Sequence, residues 1–188
     1  MKKTITLFSI FMSVFCYSQK IISLTDYEKC LNKYADDSSV ECLKEEVEYI
    51  KDVDRRLDIF EGTWTGKYNN KTFKLQLVKK LKFGEYNPKA DRLLGKLKVS
   101  TPTKELFNSY NLTGENSNPY GVRFIKGTYS MLFQAESCQD FGRLYLRLNP
   151  NNPNEMSMIY GKEIGYCPDI KNYDYLIPNK RVILVRED

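Results

Sequence analysis

The chain contains no histidine, and tryptophan occurs once. Without histidine, Ser-His-Asp and Cys-His nucleophile arrangements are excluded. The commonest neutral metal ligand is missing as well. Cysteine is scarce: of five residues, Cys16 lies inside the N-terminal apolar run and no two form a C-x-x-C pair, so a zinc site is not expected. The ten glycines are scattered singly, which leaves no glycine-rich loop to cradle a phosphate. No metal or cofactor is therefore expected. Carboxylate pairs remain arithmetically available, Glu136 with Asp140 and Asp169 with Asp174, but they fall in loop-like segments where single solvated acids are the default. These absences point to a protein that is not an enzyme. Strong charge is lacking too: the formal net charge is only +5, and Lys2 and Lys3 belong to the leader described next. That is too weak for the concentrated basic face of a nucleic-acid binder.

What is present begins with that leader. Lys2 and Lys3 precede an apolar run from Ile5 to Tyr17, which is shorter than the ~20 residues a bilayer span needs. Small residues Cys16 and Ser18 occupy the −3 and −1 positions of a cleavable secretory signal. Residues 1–18 are expected to be removed, giving a periplasmic or secreted chain with no transmembrane anchor. Cys16 as a lipid-attachment site is the alternative, disfavoured by the bulky Phe15 before it. After cleavage Cys30, Cys42, Cys138 and Cys167 remain, an even number in an exported chain, which favours disulfides. Of the three pairings open to four cysteines, Cys30 with Cys42 and Cys138 with Cys167 is preferred, because each pair flanks one supersecondary unit.

Residues 19–59 read as a helical hairpin. Thr25-Asp26-Tyr27-Glu28 has the form of a capping box, and Leu24, Tyr27, Leu31 and Tyr34 recur at helical spacing. After Asp36-Asp37-Ser38, a second stripe follows: Val40, Leu43, Val47, Ile50, Val53, Leu57 and Phe60. Glu45, Glu46, Glu48, Asp52 and Asp54 would then form a solvated face.

Residues 60–188 read as strands. Phe73, Leu75 and Leu77 alternate with polar residues, as do Leu93, Gly95, Leu97 and Val99. Glu105 to Leu112 is a weaker candidate, and Val122 to Ala135 is long enough for one bent strand with Gly127 at the bend. Leu144, Leu146 and Leu148 face Met156 and Met158 across the Asn/Pro run 149–154, a hairpin. Val182 to Arg186 is the last strand. Seven or eight sequential strands in mainly β architecture suggest an up-and-down antiparallel barrel, with a two-sheet sandwich as the alternative.

Phe60-x-Gly62-x-Trp64, at the start of the first barrel strand, resembles the G-x-W signature of lipocalin and fatty-acid-binding barrels. That resemblance implies Trp64 across the closed end, with Gly62 part of the same closure and an arginine from the last strand, Arg186 or Arg181, beside the indole. Leu57-Asp58-x-Phe60-x-Gly62-Thr63-Trp64 followed by Thr72-Phe73-Lys74-Leu75, with the Leu/Met hairpin, is similar to a family of small exported bacterial proteins of unknown function with a lipocalin-like domain. The likeness covers about residues 57–187 and implies fold and compartment more than activity.

Two functions fit this reading. In the first, Phe73, Leu75, Leu77, Leu97, Val99, Leu144, Leu146, Met156 and Met158 line an interior that carries one small apolar ligand; the bland counterpart is that they fill it. In the second, the barrel is a scaffold for binding a protein partner, as in an inhibitor or immunity factor. Its outer surface would then act through Lys74, Lys96, Lys98, Arg143, Tyr145 and Arg147 and the loop from Lys171 to Leu176, where Tyr173 and Tyr175 sit.

Overall fold

The computed structural model describes residues 20–43, 46–163, 170 and 173–187. The expected signal sequence lies outside them. A short strand β1 (Ile21–Ser23) leads into helix α1 (Leu24–Asp36), and β2 (Tyr49–Lys51) follows. Nine further strands come next: β3 (Gly62–Tyr68), β4 (Lys71–Phe83), β5 (Lys89–Ser100), β6 (Glu105–Asn108), β7 (Tyr120–Ile125), β8 (Thr128–Gln134), β9 (Phe141–Asn149), β10 (Asn152–Lys162) and β11 (Val182–Arg186).

Eight of these close into one antiparallel barrel in the order β3-β4-β5-β7-β8-β9-β10-β11, and β11 pairs back onto β3. The closed ring excludes a two-sheet sandwich. Short β6 lies alongside the C-terminal part of β5, and β1 and β2 add parallel strands to its N-terminal part. Alternation dictates the wall: Trp64 is opposite Leu75, Phe73 opposite Val99, and Leu146 opposite Met158, so apolar side chains from successive strands meet on the inner face.

Two expectations need correction. The first concerns residues 122–135, which form a hairpin rather than one bent strand. Lys126 and Gly127 both have positive φ, 47° and 75°, the backbone that a two-residue hairpin turn requires.

The second concerns the N-terminal segment, where one helix stands among the described residues instead of a helical pair. Ser23 rather than Thr25 caps it, its Oγ accepting from the Asp26 N–H at 3.0 Å. Where the second helix was expected, Ile50 enters the sheet beside Ala90, while Leu57 and Phe60 drop into the core. Arg55 has φ 56°, which no right-handed helix passes through.

Asp52 organises this stretch. Its carboxylate accepts from the backbone N–H of Arg56 at 2.8 Å and of Leu57 at 3.0 Å, and from Lys79 Nζ at 2.8 Å. It is thus a buried anchor and not part of a solvated face. Cys30 and Cys42 are bonded, but Cys42 lies in irregular chain after a turn at residues 38–39. Closing a loop of this size stabilises by roughly 3 kcal/mol.

Candidate functional site

The nine residues expected inside the barrel are all there. None of Phe73, Leu75, Leu77, Leu97, Val99, Leu144, Leu146, Met156 or Met158 is more than 1% exposed. Trp64, Tyr129, Met131 and Phe133 share the space and are equally covered. A side chain facing even a water-sized void would present surface to it, so no such void opens among these residues. An eight-stranded barrel is just wide enough for side chains to fill. Each buried side chain contributes about 1.5–3 kcal/mol.

One end is closed by Trp64, whose Nε1 donates to the Phe60 carbonyl at 2.8 Å. The Arg186 guanidinium lies 4.2 Å from the indole ring centre and donates to the carbonyls of Glu61 and Ile59. Gly62 has φ +124°, and a Cβ there would come within 2.9 Å of Arg186 Nη1, so glycine is needed on both counts. Arg181 is exposed and lies just before β11, away from this stack.

At the other end, Lys71, Phe107, Ala135, Asp140, Tyr173 and Leu176 border an open cavity of about 560 Å3. Its polar groups already serve one another. Asp140, buried and not a solvated loop acid, accepts from Tyr173 Oη at 2.6 Å and from the Leu176 N–H at 2.9 Å. Burial pushes the Tyr173 hydroxyl pKa up, and the bond to Asp140 adds to this. Lys71 Nζ donates to the Tyr175 carbonyl at 2.6 Å and to Asp174 at 2.8 Å. Tyr173 and Tyr175, expected as partner contacts, therefore also hold the strap across the mouth, with their rings 5.1 Å apart. Lys171 and Asp169 lie outside the described residues. Cys138 is not a free thiol, and its expected partner Cys167 also lies outside them.

The cationic outer wall is partly neutralised. Lys74 pairs with Glu187 and Lys98 with Glu105 on the exposed wall, where solvent screens them, and half-buried Arg143 pairs with Glu163 while its Nη1 finds no partner. Tyr145 lies against Gly161. Lys96 and Arg147 make no ion pair among the described residues.

A different place shows unmet polar demand. Between β5 and β7 the ladder consists of one pair, Leu94 with Tyr120, next to which the Gly95 N–H donates to the Pro119 carbonyl at 2.7 Å. Towards the N-terminus of β5 the strands part. There the Leu93 N–H finds the Tyr129 hydroxyl at 3.0 Å instead of a strand partner. On β7 the register slips between Gly121 and Arg123, so Val122 is an extra residue, a bulge that re-aims its neighbours.

The resulting crevice, about 210 Å3, lies under α1. Leu24, Tyr27, Leu43, Ile50, Pro88 and Val122 form most of its wall, and Arg92 and Arg123 both line it. The Nε of each arginine is buried without a hydrogen-bond partner. Such an unmet donor costs about 1–3 kcal/mol, more when charged. The acid nearest at hand, Asp91, is already committed: it accepts from Tyr49 Oη, from the Asp52 N–H at 2.9 Å and from the Lys82 N–H at 3.1 Å. Sequence reading placed Arg123 inside the 122–135 strand and gave Arg92 no role. Nothing local marks them, because the seam brings them together from separate strands.

Among the described residues no group of three or more Cys, Asp and Glu is placed to hold a metal ion, and no helix is long and apolar enough to cross a membrane. With this geometry in hand, a family match over residues 1–144 takes in α1, both arginines and the wall from β3 to β8. The chain belongs to a family of unknown function (DUF6705). The last two strands, and Arg186 with them, lie beyond the matched residues. No curated protein and no solved structure matches the chain.

Proposed function

We propose that this is an exported, non-enzymatic binding protein on a lipocalin-like barrel, and that it meets its ligand or partner at the outer wall rather than inside. The lipocalin likeness is supported by Gly62-x-Trp64 on the first barrel strand with Arg186 over the indole. Export is supported by the leader pattern of residues 1–18 and by the Cys30–Cys42 bond; a second bond, Cys138 to Cys167, belongs to the same reading. The observation that carries the outer-wall reading is the packed interior. A carried molecule would have to displace side chains that are at most 1% exposed, and interiors so filled resist even one added methylene.

The mature chain offers a direct reporter. Its three methionines, Met131, Met156 and Met158, all lie inside the barrel. With 13C-methyl methionine labelling of the oxidised chain from residue 19, titration with the uncharged apolar dye Nile red is expected to leave all three methyl shifts in place. Saturable one-to-one movement of the Met156 and Met158 methyls would overturn the reading and restore an interior carrier.

A further inference from the structure

We infer that the crevice between α1 and the β5–β7 seam is a binding site for a small organic anion. The head, a carboxylate or phosphate, sits on Arg92 and Arg123, and an apolar body lies against Leu24, Tyr27 and Ile50. This rests on the outer-wall reading and gives it a ligand class.

Two guanidinium groups share one crevice, and neither makes a hydrogen bond or ion pair among the described residues; both bury an unpartnered Nε. Arg92 is also directly across the ladder from Lys80, and like charges placed opposite each other oppose pairing. Among the described residues no acid relieves them. Asp91 is committed to Tyr49 and two backbone N–H groups. Glu28, on the same helix as Leu24 and Tyr27, is committed to Arg56 at 2.6 Å and the Gly127 N–H at 2.7 Å. An anion supplied from outside would meet planar donor forks suited to bidentate oxygen pairs.

The walls supply the second half. A site for a bare ion has no use for Leu24, Tyr27, Leu43, Ile50 and Val122 around it. Few oriented polar groups in a mostly apolar concavity are the mark of an organic ligand. The volume sets its size: about 210 Å3 is the room of about seven waters at ~30 Å3 each. That accommodates a short-chain or single-ring acid and excludes a phospholipid or a folded partner. The bulge at Val122 and the parted strands are what make the space, so the site is built by the same irregularities that weaken the seam.

Calorimetric titration of the oxidised chain with octanoate, octan-1-ol and inorganic phosphate separates head from body. Octanoate is expected to bind one-to-one. The alcohol, which lacks the charge, and phosphate, which lacks the body, are each expected to bind at least about tenfold more weakly. This comparison uses the unaltered chain and survives any folding failure of a variant. Arg92→Gln and Arg123→Gln are each expected to weaken octanoate by about tenfold or more, whereas Lys67→Gln, an exposed cation on β3 that does not line the crevice, leaves it unchanged. Equal affinity for octanoate and octanol, equal affinity for phosphate, or no saturable octanoate binding would each overturn the assignment.

The methionine methyls distinguish its failure from that of the parent reading. Met156 and Met158 are on β10, across the barrel from this seam. If octanoate moves them and ignores both arginine variants, the molecule has entered the barrel and the outer-wall reading fails. If they stay still while binding ignores both variants, only the crevice assignment falls.

Discussion

Where β11 meets β3, three successive residue pairs join the strands, and one of them sets Arg186 against Trp64, its guanidinium over the indole and bound to two carbonyls. Where β5 meets β7, one pair does the same work, and a tyrosine hydroxyl stands in for the next strand. The first seam leaves neither the indole N–H of Trp64 nor the guanidinium of Arg186 without a carbonyl partner. The second parts over an apolar crevice with two unsatisfied arginines and needs α1 as a roof. Both close the same barrel, so the difference is not one of topology. One firm seam suffices to hold register around a ring of short hairpins, because each remaining strand is fixed by its sequence neighbours. The other seam is then free to depart from ladder geometry, and the departure leaves donors available to a ligand. Polar groups left unmet in an otherwise consistent structure are where function is expected to lie.

The largest effect should come from breaking the firm seam. Trp64→Ala removes the biggest fully buried side chain and the surface on which Arg186 lies. A loss of about 3–5 kcal/mol is expected, a large part of a typical domain's 5–15 kcal/mol, read as a lower urea midpoint at unchanged slope. A midpoint within error of the unaltered chain would mean that the stack does not hold the barrel closed.

A glycine stands close to backbone at each seam. At Gly66, on β3, an added Cβ would meet the Ile183 carbonyl oxygen at 2.2 Å. At Gly121, on β7, it would meet the Tyr129 hydroxyl at 2.0 Å and the Leu93 carbonyl at 2.8 Å. Both changes overpack, which costs typically about 1–3 kcal/mol. Gly66→Ala should sit at the upper end, because its obstacle is backbone already paired in a ladder. Gly121→Ala should sit there too, since the Tyr129 ring is buried and the Leu93 carbonyl is backbone, and it alone should weaken octanoate binding by disturbing the crevice wall. Equal losses with unchanged binding would show that the two seams are alike.

Much of the wall was legible in the sequence, because period-two alternation reports which side of a strand is buried wherever one face is apolar. Phe73, Leu75 and Leu77 lie on one face for that reason, and Gly62-x-Trp64 marked the closed end through a steric and a stacking demand. Whether the inward side chains leave a cavity was not legible. That depends on volumes contributed by Tyr129, Met131 and Phe133 from other strands, which no local pattern adds up. The stripe from Val40 to Phe60 has helical spacing, yet Asp52 diverts two backbone N–H groups and Arg55 turns left-handed, so tertiary hydrogen bonds overrode periodicity. Lys126 concealed a hairpin turn because positive φ at lysine is uncommon. The crevice was illegible for a deeper reason: an unpartnered guanidinium is a statement about what is absent from its surroundings.

The smallest effect concerns the clasp that holds the N-terminal segment beside the loose seam, and it is read through pH. Lys79 joins Asp52 and Asp58, which in turn also binds Arg55 at 2.6 Å. The hydrogen bond from Lys79, then that from Arg55, holds the Asp58 carboxyl below its ordinary value. Its contribution is therefore complete above about pH 4 and is lost as pH falls through the lowered folded value. For Lys79, burial opposes the charge, but the bonds to Asp52 and Asp58 outweigh it and the ammonium is held above its ordinary value. That contribution is complete below about pH 10 and fades as pH rises through the raised value. The firm seam rests instead on an arginine bound to carbonyls, which have no proton to lose. Melting temperature should thus fall on the acid side below about pH 4, and Asp58→Asn should flatten part of that limb while leaving octanoate binding at neutral pH in place. An acid limb of the same depth in the variant would mean that the clasp does not couple to stability.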